Sequence, residues 1–485
     1  MRQRKKMKTV RPSSPTQSAL VPLLAAILAI TVFAVRWHVI NQPHQFTFDE
    51  SLYQELGYQL FSDPSHYSAG GVYEDLLAAG RNPPLYLRQP LFKHPPFFSY
   101  CIASCIVLLG AGLKAAYLPT VLSGALTIWV VFLLGRSIYN WQTGLAAAAM
   151  LSIDPIHWAC SEKIWAETTQ GFLCTLALYL FCRGLSRNHL LIWGGAIIGL
   201  ALLTKYTSAL TVLILVAFAL IFRRDLLRNK YFWMQWLVAA AVFSPWAIWY
   251  FNVYGGGGGA ISIGLEWKMI GRFFHNMLRN YQWAIPVLLI ILGLGWFAHD
   301  RGRQNKGRVA DHRYPPGAFY VPAAFIVLVT VLSLLCPSYM ARIISPGYIP
   351  LIGWERNLFG GEPVWFYFAR LPQFSPFYLF AFLGLVKILS RRKEEALLAL
   401  YCLVILIFHS LWGNYQSRYI LMAVPVLLII ASSLLGEWWT QIRRLSPPRI
   451  RRCISAVYVL VVLYFIAKTL AVALKISLPN NAAYF

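Results

Sequence analysis

The sequence predicts an all-α polytopic membrane protein with about 13 transmembrane helices and with interfacial helices in its first outer loop. Three observations predict it. Hydrophobic residues make up 58% of the 485-residue chain and charged residues only 13%, where a soluble domain carries about 25% charged residues. Apolar runs long enough to cross a hydrocarbon core of ~30 Å recur from end to end. Basic clusters at 2–11, 223–230, 301–313, 387–393 and 443–452 fall between those runs, as cytoplasmic loops do under the positive-inside rule.

The formal net charge of +25 therefore reads as orientation and as contact with anionic membrane lipids. Nucleic acid is excluded as a partner, because no basic cluster comes with a soluble domain to present it. The eight cysteines are scattered and none forms a Cys-x-x-Cys pair, which fits packing rather than redox chemistry.

Taken in order, residues 1–18 form a basic cytoplasmic tail and 19–40 the first span. This start is like that of a signal peptide, but the apolar run continues to Ile40 without a small-residue cleavage site, so the span stays uncleaved. Residues 41–117 form the first outer loop. Its polar part holds six acids, Asp49, Glu50, Glu55, Asp63, Glu74 and Asp75, and a loop of that length with no span is usually functional. Two apolar segments follow, 97–113 and 118–135. If both crossed, Arg136 and every later basic cluster would face outward. Placing 97–113 in the interface returns all of them to the inside. The remaining spans fall at 141–154, 167–183, 190–204, 206–222, 234–251, 284–298, 318–336, 375–390, 396–412, 420–435 and 454–474. Further outer loops lie at 252–283 and 337–374, and 475–485 is an outer tail. Pro155, Pro245 and Pro425 lie near span ends, as helix breakers do.

This topology collects Asp49, Glu50, Lys93, His94, Glu162, Lys163, Glu167, Lys205, Arg342 and Arg418 at the outer boundary. Ionisable side chains at membrane depth are costly and default to a functional role. In Phe48-Asp49-Glu50, one carboxylate can serve as general base toward a hydroxyl; the same pair also suits the N-terminus of a helix over 51–61. In Lys93-His94-Pro95-Pro96, a cation held at a helix start can bind a lipid phosphate or simply snorkel. Lys163 and Glu167 have the spacing of an ion pair on one helix face. Lys205, between two spans, snorkels or holds a ligand. Arg418 can clamp a phosphate with its fork or anchor beside an aromatic belt. The five glycines at 255–259 lack the Lys-Ser/Thr of a P-loop and read as a hinge. No convincing metal-ligand set is found, which leaves a divalent metal undecided.

The ordered motifs resemble those of the GT-C superfamily of membrane glycosyltransferases. More narrowly, they are similar to the group holding the protein O-mannosyltransferases and the aminoarabinose transferase that modifies lipid A. The matches are Asp49-Glu50 with Tyr53, His94-Pro95-Pro96, Leu202-Leu203-Thr204-Lys205, Ser244-Pro245-Trp246, and Arg418-Tyr419 leading to Pro425. Two positions depart from the pattern. Tyr117-Leu118-Pro119 stands where the group often has Arg-Leu-Pro, and Ser161-Glu162 with Glu167 stands where it often has Ser-Arg and a following Asp. The resemblance implies a polyprenyl-phosphate sugar as donor and a glycolipid, glycan or protein as acceptor. It implies catalysis by Asp49 with Glu50, phosphate binding by Lys93, His94, Lys205 and Arg418, and a site on the outer face of what would be a bacterial inner membrane. Tyr53, Glu162, Lys163, Glu167 and Arg342 complete the candidate set. A lipid-linked polysaccharide polymerase or ligase is the alternative, with a transporter or flippase behind it; the latter would show internal repeats and broken midplane helices.

The charge parity makes a direct prediction. Reporter fusions after Lys114 should report outside and those after Arg136 inside; the opposite pair of results would restore 97–113 as a span.

Overall fold

The structure is a computed structural model that describes residues 15–40, 46–254, 329–331, 333–347, 366–388, 393–412, 415–445 and 447–477. Its regular elements among these residues are helices. Helix α1, Pro15–Val39, comes first, and α2, Phe48–Ser62, starts at a capping box in which Thr47 and Glu50 satisfy each other's backbone N–H groups. The helix starts three residues earlier than its sequence suggests, because Thr47 rather than Asp49 or Glu50 is the cap. Helix α3, Gly70–Ala78, and a short 3₁₀ turn at Leu85–Arg88 follow.

Helix α4, Phe97–Leu109, has 13 residues. That is about 20 Å of helix, shorter than a ~30 Å hydrocarbon core. Gly110 ends it at φ 83°, a conformation glycine adopts without strain. Helix α5, Leu113–Ile138, is long and apolar enough to cross.

The chain continues through α6, Trp141–Ser152, and α7, Pro155–Ser161. Then come α8, Ala166–Gly184, α9, His189–Thr204, α10, Ala209–Phe222, and α11, Lys230–Tyr254. Asp154 caps α7 by accepting from the His157 N–H at 3.0 Å, with Pro155 in the first turn. Pro245, expected near a span end, lies inside α11.

Beyond the undescribed stretch come α12, Pro337–Ile344, α13, Phe366–Phe374, α14, Phe377–Ile388, α15, Lys393–Trp412, α16, Val424–Ile442, and α17, Pro448–Ile476. Among the described residues six helices are long and apolar enough to span: α1, α5, α11, α15, α16 and α17. Helices α6 and α14, each of 12 residues, are about 18 Å long and shorter than a full crossing. The expected span 284–298, most of 318–336 and the glycine run 255–259 lie outside the described residues.

Two hydrophobic cores result. The larger joins the apolar faces of the bundle helices. The smaller belongs to the stretch from α2 to α4: Leu52, Tyr53 and Leu56 of α2 meet Phe98, Ile102 and Ile106 of α4, with Phe92 and with Trp246 from α11. Trp246 donates its indole N–H to the Tyr206 hydroxyl at 2.8 Å, which in turn donates to the Phe92 carbonyl at 2.6 Å. This stretch is thus a packed layer pinned to the bundle, and it carries Asp49 and His94 on packed elements.

The α2–α4 contact depends on Gly57, where an added Cβ would run into the Ile102 side chain. Gly57→Ala is therefore expected to destabilise the purified protein by about 1–3 kcal/mol through overpacking, and Ile102→Val in the same chain should recover part of the loss. Denaturant unfolding of the single and double variants measures both.

Candidate active site

The site is assembled from five chain regions. Asp49 comes from the first turn of α2 and His94 from the turn before α4. Glu167 lies in the first turn of α8. Lys205 follows the end of α9, and Arg418 sits in the 3₁₀ turn Ser417–Ile420 ahead of α16. The fold brings these together. Arg418 Nη2 lies 2.6 Å from Asp49 Oδ2, and its Nε lies 3.5 Å from Glu167 Oε1. Lys205 Nζ is 2.7 Å from that same Glu167 oxygen. Arg418 Nε also donates to Gln416 Oε1 at 2.6 Å. Two cations and two carboxylates therefore face one another.

Aromatic rings wall the cluster. The Arg418 guanidinium lies 4.5 Å from the Trp165 ring centroid and 5.3 Å from that of Tyr419, and Lys205 Nζ lies 5.1 Å from the Tyr419 ring. Such contacts hold cations with little competition from water. His94 Nδ1 and the Tyr53 hydroxyl are hydrogen-bonded at 2.9 Å. Burial lowers the His94 pKa to about 4, even against the pull of Asp49, so at neutral pH the ring is uncharged. Burial pushes the Asp49 carboxyl up, but Arg418 above all, then His94 and Lys205, override it and hold the group at about 2.

Glu50 points elsewhere. Its carboxylate accepts from the Thr47 N–H and hydroxyl at 3.0 Å each and from the Ile164 N–H at 3.3 Å, and lies 3.6 Å from Lys163 Nζ. It also hydrogen-bonds Tyr117, the buried residue at the position where an arginine was looked for. Trp165 closes this side by donating to Thr47 Oγ1 at 3.1 Å. Lys163 and Glu167 do not pair with each other as their spacing suggests. The chain leaves helical geometry between Glu162 and Trp165, so the two side chains are turned to different partners.

Lys93 packs against Tyr86, with Nζ 5.0 Å from that ring. Arg342 is exposed on α12, where its backbone carbonyl accepts from Lys468. Glu162 joins a second buried group: it accepts from the Trp158 indole and from Ser477 Oγ at 3.0 Å. In that group Arg36 Nη2 lies 3.2 Å from His157 Nδ1, and Asp154 accepts from Tyr378 at 2.7 Å.

Sequence reasoning passed over Arg36 and His409, both of which sit inside apolar runs. Arg36 is fully buried, and His409 stacks on Tyr419 at 5.9 Å with neither ring nitrogen hydrogen-bonded among the described residues. The signal available was the one used for the other residues, an ionisable group at membrane depth. Among the described residues no group of three His, Cys, Asp or Glu side chains is placed to hold a metal ion.

Residues 93–249 match the model of a family described as dolichyl-phosphate-mannose-protein mannosyltransferase. In fold the chain is similar to ArnT from Cupriavidus metallidurans bound to undecaprenyl phosphate, with a TM-score of 0.52 and 15% identity over 97% of this chain and 77% of that one. The fold is that of the GT-C membrane glycosyltransferases. A second GT-C structure, the archaeal oligosaccharyltransferase AglB from Archaeoglobus fulgidus in complex with an inhibitory peptide and a dolichol-phosphate, is similar with a TM-score of 0.55 and 16% identity. That likeness covers 95% of this chain but only 56% of AglB. No curated protein sequence matches the chain. At these identities the structural likeness establishes the GT-C frame, and the side chains must supply the chemistry.

The Glu50–Lys163 pair is buried on both sides, with side chains 0% and 2% exposed. Lys163→Met removes one partner and leaves a buried charge uncompensated, which costs about 3–5 kcal/mol. The double variant Glu50→Gln, Lys163→Met should regain most of that stability in a denaturant titration; a loss equal to the sum of those of the two single variants would show that the pair carries no coupling.

Proposed function

We propose that this protein transfers a sugar from a polyprenyl-phosphate carrier to a hydroxyl acceptor at the outer membrane face. The observation that carries the reading is the Asp49–Arg418–Glu167–Lys205 cluster, which sets a carboxylate and two cations side by side at the junction of the outer layer and the bundle. Group transfer from a lipid phosphate needs this pairing of roles. A base takes the proton of the incoming hydroxyl, and fixed cations stabilise the phosphate that leaves. Support for the donor class comes from the lipid phosphates named with the similar ArnT and AglB structures.

The donor phosphate is bound by Arg418 and Lys205, with His94 as a neutral hydrogen-bonding group beside them. Arg418 presents two nitrogens in one plane, suited to two phosphate oxygens. The acceptor oxygen attacks the anomeric carbon while its proton passes to Asp49. The bond from that carbon to the phosphate oxygen breaks, and the phosphate keeps the electron pair and its polyprenyl chain. Attack from the face opposite the phosphate inverts the anomeric centre. Glu50 stays out of the chemistry and holds α2 so that Asp49 points at the cations. The acceptor is a glycolipid, a glycan or a protein, and the membrane is the inner membrane of a bacterium with the site facing the periplasm.

The test is transfer of labelled sugar from a polyprenyl-phosphate donor to membrane acceptors by purified protein. Asp49→Asn keeps the shape but removes the base, so turnover should fall about 10²–10⁴-fold in correctly inserted protein. Glu50→Gln, which still accepts hydrogen bonds, should lose less. Near wild-type turnover by Asp49→Asn would leave Asp49 as a helix-terminus residue and remove this mechanism.

A further inference from the structure

We propose that the donor's phosphate and the Asp49 carboxylate compete for Arg418, so that donor binding is the event that releases the base. This rests on the function proposed above and adds an order to it. Charge bookkeeping is the first argument. The cluster holds two cations, Lys205 and Arg418, against two carboxylates, Asp49 and Glu167. The neighbouring His94 ring is uncharged at neutral pH. An incoming phosphate thus meets a neutral cluster in which both cations are already engaged. It gains a full ionic contact only where a carboxylate gives way.

Geometry decides which one yields. Glu167 has a side chain only 2% exposed and touches both cations through a single oxygen. It is held in the first turn of α8, and leaving would strand two buried charges. Asp49 holds one cation, and its side chain is 25% exposed. Lys205, at 23%, is the other partly open member. The open side of the cluster is therefore the side that carries Asp49 and Lys205. A phosphate arriving there can take the Arg418 nitrogen that Asp49 occupies and use the second arm of the fork as well.

The exchange couples binding to chemistry. While Arg418 holds it, the Asp49 carboxylate is a weak base, because a guanidinium at 2.6 Å stabilises its charged form. Once the phosphate neutralises that guanidinium, the carboxylate's affinity for a proton rises, and it lies beside the donor whose acceptor it must deprotonate. Glu167 keeps Lys205 and Arg418 in place throughout and acts as a positioning residue.

The experiment titrates the full chain in nanodiscs with undecaprenyl phosphate, which carries no sugar and cannot turn over. Asp49→Asn and Asp49→Ser both remove the competing charge and should bind this lipid about tenfold more tightly than the unaltered chain, the size of one pK unit of differential interaction. Arg418→Gln should weaken binding and erase that gain when combined with Asp49→Asn. Unchanged or weaker binding by both Asp49 variants, with the unaltered chain binding normally, would overturn the competition while leaving Asp49 available as the base. A gain seen with inorganic phosphate but not with undecaprenyl phosphate would also overturn it, because the competing anion would not be the lipid's. Absence of lipid binding by every chain would overturn it together with the donor assignment. Unimpaired sugar transfer by Asp49→Asn would overturn the release of a base together with the catalytic role, whatever the binding result.

Discussion

Two cations placed at the junction between the packed α2–α4 layer and the helical bundle must be neutralised there, and the rest of the site follows from how that is done. Glu167 neutralises Lys205 and part of Arg418 through one oxygen, and Asp49 takes the remaining arm of Arg418. A single buried carboxylate serving two cations fixes both at once. It does so because desolvation leaves each of them no better partner. The guanidinium lies against the rings of Trp165 and Tyr419 and the ammonium against Tyr419, so aromatic faces take the place of water on these sides of the cluster.

The segment from Asp154 to Glu167 links this arrangement to the bundle. Its residues turn successively to different partners. His157 meets Arg36 of α1, and Glu162 meets Ser477 at the end of α17. Lys163 and the Ile164 N–H meet Glu50, while Glu167 reaches Lys205 and Arg418. Space for the Arg36 head group comes from Gly124 of α5, where an added Cβ would stand 2.9 Å from Arg36 Nη1. One irregular stretch thereby connects a polar group inside the bundle, the support of α2 and the reactive cluster.

Glu50 illustrates how a motif divides its labour. Two adjacent carboxylates on a helix point about 100° apart, and here the two directions have opposite environments. Glu50 enters a fully buried nest of donors, with Lys163, Thr47 and the Ile164 N–H around it. Asp49 stays at the partly open edge with Arg418. The two adjacent carboxylates are thus divided, Glu50 in the buried capping network of α2 and Asp49 in an ion pair with Arg418.

The sequence by itself determined the membrane setting and the helical class. These rest on composition, on the length of apolar runs and on loop charge, all of which are local quantities. The GT-C resemblance was legible for the same reason, since its motifs are short and ordered along the chain. Asp49, His94, Lys205 and Arg418 were picked out individually because an ionisable residue at a membrane boundary is conspicuous wherever it stands. Only the tertiary structure decided who pairs with whom. Lys163 goes to Glu50 across a separation of 113 positions and Glu167 to Lys205 across 38, although the spacing of Lys163 and Glu167 suits a helical pair. Helical spacing predicts a partner only where the helix is continuous, and between Glu162 and Trp165 it is not. Arg36 and His409 were hidden because an isolated polar residue in an apolar run gains meaning only from what packs around it, and that is set by contacts between distant helices.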